Sequence, residues 1–402
     1  MRVLFFISEY SRFNGAQRSL LRLVRKLPAV GIEPVIVFPG EGHCTAMYRE
    51  ANLPVNVIPG PPLFTRFGQR LLQMNWLQNL AFFAAQIAPY SFKVAAYAKQ
   101  QRVDILHCNT PRSLLMAGYV PALQGIPVVS YIRGLLTPYS RWQRFLLGAL
   151  PSRSILVCDS VRSELASRFR SKCVTIYDSI DQQAIQDIES SEEQPFFSKE
   201  QGAVTIAIFG AVVPEKGYHH LLRAAWLVNQ RFQGPRPRFI ALGEFMDSRY
   251  RSYVAQLIQK YDLDNFHCLG WRDNPFPYYR MSDIVVLPSV VREQIPTGEG
   301  PLEAQSGEGL PLTVLEAMYL EKPVVASRIG GVPEVVVDGE TGYVIPPGDP
   351  EKLSEAICHL LECPDKRRVM GEAGAMRVRS LFTTEVMVQK TVALYRELVE
   401  KR

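Results

Sequence analysis

Short runs of valine, isoleucine and leucine recur along this 402-residue chain, and segments of helical period separate them. The first half contains VLFFIS, EPVIVF, VDILHCN, IPVVSYI and SILVCDS, and the second half contains AVTIAIFG, RFIALG, FHCLGW, DIVVLPS, KPVVAS and GYVIPP. Continuously apolar strands are typical of parallel sheets that helices cover on both faces. We therefore predict an α/β chain with two doubly wound parallel sheets.

A polar, acidic stretch from Asp181 to Gly202 separates the two series and indicates a helix fragment and a linker. We predict a first domain over residues 1–182, a linker over 183–202 and a second domain over 203–378. Residues 379–402 have apolar side chains at helical spacing, and such a face must pack on something. Since the second series is complete without them, we predict a terminal helix that crosses back to the first domain.

Composition and cysteine content narrow the class of protein. The chain is 47% hydrophobic and 21% charged, as globular proteins are. Its seven cysteines include no C-x-x-C pair, and an odd number argues against a disulfide framework, so we expect reduced thiols in the cytoplasm. The start MRVLFFISEY lacks a small-residue cleavage site and predicts a buried strand, not a signal peptide.

Charge is divided unevenly between the halves. Residues 1–180 carry 21 basic and 8 acidic residues, a net charge of +13, whereas the remainder carries a net charge of −7. The asymmetry predicts that the first half faces an anionic partner: a membrane surface, a phosphorylated substrate or nucleic acid.

An uncharged segment from Leu71 to Phe92 lies within this basic half. The basic residues that flank it are Arg66, Arg70, Lys93, Lys99 and Arg102. Two interpretations remain open, an amphipathic hairpin that lies on a membrane and a segment buried inside the first domain.

The segment SGEGLPLTVLEAMYL places two carboxylates around the start of a helix. Pro311 suits a first helical position, and apolar residues three and four apart follow it. Amides at such a start, with the positive end of the helix dipole, form an anion site. Glu308 precedes the helix, and Glu316 lies about one turn inside it, where a carboxylate can accept hydrogen bonds from sugar hydroxyls. The alternative is one glutamate favoured by the dipole and one that is solvated.

Other motifs are weaker. The fingerprint G-x-G-x-x-G is absent, which argues against a dinucleotide-dependent oxidoreductase. Gly15 marks either a phosphate- or sugar-facing turn or a plain one, and Lys216 either reaches a diphosphate or is solvated. The D-x-D from Asp262 to Asp264 lies between a helix and a strand and predicts a surface turn, not a metal site.

Seven segments of the second half, in register, resemble a known family. They are FGAVVPEKG, LGW, DIVVLPS, EGLPLTVLEAM, KPVVAS, GGVPEVV and GETGYVIPPGD, and NGAQRSL and DILHCNTP add a looser match in the first half. Their order is similar to that in the retaining nucleotide-sugar glycosyltransferases of family 4, whose E-x(7)-E element the two glutamates match. The resemblance implies the GT-B fold, in which two Rossmann-like domains face a central cleft.

The resemblance also implies roles for individual residues. Glu308 would lie at the donor sugar, Glu316 at the nucleotide ribose and Lys216 at the diphosphate. The implied donor-binding set is Gly15, Gly210, Lys216, Gly243, Leu269, Glu308, Gly309, Leu310 and Glu316; the catalytic set is Glu308, Lys216 and His107; the acceptor-binding set is Asn109 and Arg133. No metal or other cofactor is expected, and we find no Asp/His ligand cluster in the sequence.

The implied activity is that of a retaining, metal-independent hexosyltransferase. It would move a sugar from a nucleotide-diphosphate sugar to a saccharide or lipid-linked acceptor, in cell-envelope or exopolysaccharide biosynthesis. We expect a cytoplasmic protein, one that could be peripheral on the inner face of the membrane, with no nucleic acid partner. Two alternatives stay open: a soluble sugar-phosphate glycosyltransferase or synthase, and a non-catalytic nucleotide-sugar-binding assembly protein.

Two departures from the family bear on these expectations. Ala211 stands where the family has an arginine before EKG, so another cation, Arg292, Arg12 or Arg18, would have to replace it. The segment VVREQIPTGEGPLEAQSG is longer than the usual connection and predicts a mobile loop at the mouth of the cleft.

Overall fold

The computed structural model describes residues 1–11, 13–61, 81–136, 139–180, 182, 185 and 203–401. The chain divides into two compact units, Met1–Ser179 with Thr384–Arg402, and Ile180–Thr383. The C-terminal helix, Thr384–Glu400, therefore belongs to the first unit.

Seven parallel strands form the sheet of the first unit, in the order β3-β2-β1-β4-β5-β6-β7. They are β1 (Arg2–Phe6), β2 (Glu33–Phe38), β3 (Val55–Val57), β4 (Ile105–Cys108), β5 (Val128–Ile132), β6 (Arg153–Leu156) and β7 (Cys173–Thr175). The α-helices before the linker are α1 (Gly15–Lys26), α2 (His43–Glu50), α3 (Ala88–Gln100), α4 (Pro111–Ala117), α5 (Tyr119–Leu123) and α6 (Arg141–Ala149). The strand order reverses between β1 and β4, which makes this point the switch point of the sheet.

Six parallel strands form the main sheet of the second unit, in the order β10-β9-β8-β11-β14-β15, and its switch point lies between β8 and β11. The six strands are β8 (Thr205–Phe209), β9 (Arg238–Leu242), β10 (Phe266–Gly270), β11 (Ile284–Leu287), β14 (Val324–Ser327) and β15 (Gly342–Ile345). Two further strands, β12 (Arg292–Ile295) and β13 (Leu302–Gln305), form a separate two-stranded sheet. The helices are α7 (Tyr218–Arg231), α8 (Ser248–Lys260), α9 (Phe276–Met281), α10 (Leu312–Tyr319), α11 (Val332–Val335), α12 (Pro350–Glu362) and α13 (Pro364–Leu381).

The predicted fold class is confirmed, because both units are built on parallel sheets that helices cover. Strands such as β5 and β8 are buried at every residue, as continuous apolar runs require. The short edge strands β3 and β7 are only half-buried and have no such run, so the sequence did not predict them.

The segment predicted as a mobile loop instead contains an antiparallel hairpin of β12 and β13. Ile295, Leu302 and Ala304 are buried and belong to the core of the second unit. Burial alternates along β13, which is the pattern of a strand with one face on a core. The glycines and prolines around it hid this alternation in the sequence.

The uncharged segment of the first half is described only from residue 81 onward, so Arg66, Arg70 and Trp76 lie outside the described residues. A π-helical turn, Phe83–Ile87, leads into α3, on which Tyr90 is buried and Phe92 is 59% exposed. Among the residues that the structure describes, no helix has the length and apolar content needed to cross a bilayer.

The packing of α13 on α10 gives a first prediction, since α10 carries Glu316. A Cβ on Gly371 would lie 2.0 Å from the backbone oxygen of Glu321, the second residue after α10. We expect Gly371→Ala to destabilise the chain by about 1–3 kcal/mol, because overpacking outweighs the helix propensity gained. Urea unfolding followed by circular dichroism measures this change.

Gly374→Ala, in the same helix, is the matched control. Its Cβ would meet only the side chain of Met318, at 3.4 Å or more, so we expect a stability equal to or slightly above that of the unmodified chain. Equal stability of the two variants would contradict the packing described here.

Candidate functional site

Two glycines bring the loop after β8 against the end of β9. Gly210 donates its amide to the carbonyl oxygen of Leu242 at 2.9 Å, and its own carbonyl accepts the hydroxyl of Tyr218 at 2.7 Å. A Cβ on Gly243 would lie 1.8 Å from the carbonyl oxygen of Gly210, so glycine alone fits there. The structure thus joins two predicted residues and adds the buried Tyr218, which the sequence analysis missed.

A 3₁₀ turn, Pro214–Lys216, follows and ends at Gly217, whose φ of +69° favours glycine. A Cβ on Gly217 would meet the carbonyl oxygen of Pro288 at 2.0 Å. Pro288 comes directly after β11, the neighbour of β8, so the turn packs at the switch point of the sheet. This contact fixes the backbone from which Lys216 extends.

Lys216 and Glu308 form an ion pair between Nζ and Oε1. Their side chains are only 20% and 16% exposed. At this depth opposite charges are screened less than on an open surface. The structure therefore brings together the residues that the EKG and E-x(7)-E motifs singled out.

Hydrogen bonds and a buried side chain hold the loop that carries Glu308. Its amide donates to Oγ of Ser306 at 3.1 Å, and the carbonyl of Gly309 accepts the amide of Gly331 at 2.6 Å. Leu310 is buried and anchors the loop before α10 begins. The first turn of a helix presents amide donors without partners inside the helix, so this loop leads to a helix start of the kind that can accept an anion.

Glu316, in the second turn of α10, accepts a hydrogen bond at Oε2 from the hydroxyl of Tyr279, 2.9 Å away. The Tyr279 ring stacks on Phe209, the last residue of β8. Burial raises the pKa of Tyr279 well above its usual range, so the hydroxyl remains a donor. Tyr279 is a positioning residue that the sequence pattern around it did not reveal.

Two further residues predicted to bind the donor, Leu269 and Gly15, belong to other elements. Leu269 sits at a register shift in the edge strand β10. Gly15 is the first residue of α1 in the first unit, where Asn14 caps the helix by accepting the amides of Ala16 and Gln17. Their assignment to the donor stays a prediction.

Two of the three arginines proposed to replace the family arginine contact other side chains. Arg292 pairs with Glu303 at 2.8 Å across the hairpin, and Arg18 lies over the ring of Phe13 in the first unit. Arg12 lies outside the described residues. The D-x-D is an exposed turn, as predicted, and its Asp264 pairs with Arg236.

His107, in β4, is fully buried. Its Nδ1 lies 2.6 Å from the hydroxyl of Tyr395 on the C-terminal helix. Burial, with the nearby charge of Arg133, lowers its pKa to about 3, so the imidazole is neutral. A side chain without exposed surface cannot contact a substrate, so this structure does not support the predicted catalytic role; His107 instead ties the sheet to the C-terminal helix.

Arg133 and Asn109, predicted to bind the acceptor, belong to a buried network with Asp178. Arg133 Nη1 donates to both carboxylate oxygens of Asp178, at 2.6 and 2.8 Å, and Nη2 donates to Oδ1 of Asn109 at 3.0 Å. The side chains of Arg133 and Asp178 are 9% and 7% exposed. The network is internal, so the structure does not support acceptor binding by these groups, and Asp178 is a partner that sequence reasoning missed.

Family models match both halves of the chain. The model described as "Glycosyltransferase Family 4" matches residues 13–184, and the one described as "Glycosyl transferases group 1" matches residues 190–377. Between them they leave out only the two ends of the chain and a short linker.

Individual relatives are also similar in sequence to this chain. An uncharacterized glycosyltransferase of Methanocaldococcus jannaschii is 24% identical over 61% of this chain and 59% of its own. A GDP-mannose-dependent monoacylated α-(1-6)-phosphatidylinositol monomannoside mannosyltransferase of Corynebacterium glutamicum is 30% identical over 46% of this chain and 45% of its own. The chain thus spans about half the length of these curated relatives.

HepE of Anabaena, solved in complex with UDP, superposes with a TM-score of 0.76 over 99% of this chain and 100% of its own, at 18% identity. The same protein has also been solved with UDP-glucose. At this level of sequence identity, the structural similarity supports the fold alone.

The buried network of the first unit gives a second prediction. Arg133→Met leaves the buried carboxylate of Asp178 without its cationic partner, so we expect the free energy of unfolding to fall by about 3–5 kcal/mol. The double variant Arg133→Met/Asp178→Asn should recover part of this loss. Urea unfolding of the single and double variants measures both effects.

Lys26→Met is the matched control, because Lys26 pairs with Glu385 at 3.9 Å on the surface of the same unit. We expect a change within about 1 kcal/mol. An Arg133→Met variant as stable as this control would contradict a structural function for Arg133 and restore it as an acceptor-binding candidate.

Proposed function

Because the chain belongs to the family 4 glycosyltransferases of the GT-B fold, we propose that it moves a sugar from a nucleoside-diphosphate sugar to a saccharide or lipid-linked acceptor. The observation that carries the proposal is the ion pair between Lys216 and Glu308 at the switch point of the second sheet. Ligands of open parallel sheets bind beyond the carboxyl ends of strands at such points.

Lys216 supplies the positive charge for the donor's diphosphate in this proposal. A diphosphate carries more negative charge than one carboxylate, so it competes with Glu308 for Lys216. The first amides of α10 add donors for the phosphate oxygens. Glu308, released from the ion pair, is then available to accept hydrogen bonds from hydroxyls of the donor sugar.

Glu316 binds the ribose of the nucleotide in the same scheme. Two adjacent ribose hydroxyls match a carboxylate, which accepts hydrogen bonds at both oxygens. The hydroxyl of Tyr279 holds the carboxylate in place, at 2.9 Å from Oε2. Contacts at Lys216 and Glu316 would thus hold the donor at both its diphosphate and its ribose.

The transfer would proceed with retention of configuration. The bond between the anomeric carbon and the phosphate oxygen breaks, and its electron pair stays on the diphosphate. The acceptor hydroxyl bonds to the anomeric carbon on the same face and gives its proton to the departing diphosphate. Lys216 and the loop amides stabilise the developing charge, so the reaction itself needs no metal ion.

The acceptor side is proposed from charge. The net +13 of residues 1–180 fits a cytoplasmic protein that is peripheral on an anionic membrane, where a lipid-linked acceptor of envelope or exopolysaccharide biosynthesis would be reached. The Corynebacterium relative is named for a phosphatidylinositol-based acceptor. On α3, Phe92 and Lys93 are exposed next to each other, a combination suited to a membrane interface.

The donor site gives a third prediction. We expect Lys216→Ala and Glu316→Ala each to weaken nucleotide binding, and Glu308→Ala chiefly to lower turnover. The loss of a hydrogen bond to a charged group costs about 1.5–3 kcal/mol, or roughly tenfold to a hundredfold. Calorimetric titration with UDP-, GDP- and ADP-sugars, together with a turnover assay of the bound donor, measures both effects.

Lys352→Ala and Glu355→Ala are matched controls, since these residues form an exposed ion pair in the same unit. Both controls should bind the nucleotide normally. Wild-type affinity in all three site variants would refute the site assignment. Binding without turnover of any donor would instead favour a non-catalytic nucleotide-sugar-binding protein.

Membrane association gives a fourth prediction. The chain should sediment with acidic but not with neutral vesicles, because each basic residue near an anionic surface contributes roughly 1 kcal/mol to binding. Added salt should weaken the binding, because ions screen this attraction over about 10 Å at 0.1 M salt. A variant in which five basic residues are replaced by neutral ones should no longer bind the acidic vesicles. Its substituted positions are Arg66, Arg70, Lys93, Lys99 and Arg102.

A control variant neutralises five exposed basic residues of the second unit and should still bind acidic vesicles. They are Arg223, Arg236, Lys260, Lys352 and Arg368. Equal partitioning of all three proteins between acidic and neutral vesicles would end the membrane proposal. Loss of affinity for a phosphorylated acceptor alone would favour the soluble sugar-phosphate enzyme.

A further inference from the structure

Two histidines and one glutamate of the second unit converge outside the Lys216–Glu308 pair. Nε2 of His219 and Nε2 of His220 lie 3.2 and 2.8 Å from the same atom, Oε2 of Glu293. All three atoms lie within 4.8 Å of one another. A tetrahedral ion with bonds of about 2.0–2.2 Å holds its ligand atoms roughly 3.4 Å apart, so only small side-chain movements separate this group from a coordination shell.

The surroundings orient these side chains as metal ligands are usually oriented. Nδ1 of His219 lies 2.9 Å from the hydroxyl of the buried Tyr250. When Nδ1 donates to that oxygen, the lone pair of Nε2 points toward Glu293 and His220. A ligating histidine typically uses its second nitrogen in this way.

The group is also partly open to solvent. His219 and His220 are 7% and 14% exposed and Glu293 is 32% exposed, which leaves room for water as a further ligand.

We propose that His219, His220 and Glu293 form a binding site for a divalent transition-metal ion of the zinc class. Two imidazoles and one carboxylate are a ligand set that zinc accepts, with water in the open position. The ion would link the start of α7 to β12. It takes no part in the chemistry proposed above, so the transfer remains independent of metal at the reacting atoms.

The site would hold the hairpin against the turn that carries Lys216. The amide of Val290 already donates to the carbonyl of Glu215 at 3.0 Å, just before β12. His219 follows Lys216 by three residues, and Glu308 follows β13 by three residues. An ion at this position would therefore fix both chain segments from which the Lys216–Glu308 pair extends.

The fifth prediction tests metal binding directly, without substrate. After treatment with a chelator and desalting, the full chain is titrated with Zn²⁺ by calorimetry, and its melting temperature is followed as Zn²⁺ is added. We expect saturable binding with one ion per chain and a rise in the melting temperature, because an ion that binds only the folded state stabilises it.

Variants assign the binding to residues. His220→Gln and Glu293→Gln should each weaken Zn²⁺ binding at least tenfold, and Tyr250→Phe should weaken it about tenfold to a hundredfold through the orientation of His219. His359→Gln, an exposed histidine of the same unit, and Cys268→Ser, an exposed thiol, are controls that should bind as the unmodified chain does.

Two results would overturn the proposal. One is the absence of saturable Zn²⁺ binding by the unmodified chain, which would leave the group as a hydrogen-bonded cluster only. The other is unchanged affinity in Glu293→Gln. If that variant does not fold, the Co²⁺ complex of the unmodified chain decides the matter: a thiolate charge-transfer band would place the ion on cysteine and refute the site. None of these measurements depends on the proposed transferase activity.

Discussion

The ion pair between Lys216 and Glu308 is the contact around which the candidate site is arranged. It joins two loops 92 residues apart, and both lie at the switch point of one parallel sheet. Because each side chain is mostly buried, each charge needs a partner, and removal of one leaves the other uncompensated. In the function we propose, an anionic diphosphate would replace Glu308 as the partner of Lys216, and the carboxylate would turn to the donor sugar.

The sequence predicted the parts of this arrangement that follow from local pattern. Continuous apolar runs predicted the two parallel sheets, because a buried strand must be apolar on both faces. The E-x(7)-E spacing predicted a carboxylate on either side of a helix start, and α10 begins between Glu308 and Glu316 as expected. Tyr279 escaped notice because its contact with Glu316 spans 37 residues, and neither its neighbours nor its spacing marks it.

The first unit shows why acceptor-side residues were harder to identify. Arg133 and His107 are polar residues at the ends of apolar strands, a position that suits a binding residue and a buried structural residue equally well. Only the fold reveals that Asp178 neutralises Arg133 and that Tyr395, 288 residues away, meets His107. A buried cation is retained only with a partner, so once Asp178 is located, the structural interpretation of Arg133 becomes the stronger one.

The hairpin of β12 and β13 helps to hold in place the two segments that carry Lys216 and Glu308. Its alternating burial anchors it in the core of the second unit, and Val290 and Glu293 fasten its first strand to the turn and helix that surround Lys216. The chain cannot pass from β11 to Glu308 except through this hairpin. Whatever fixes the hairpin therefore also limits the positions open to Glu308, so a contact remote from the reacting atoms can set the geometry of the ion pair.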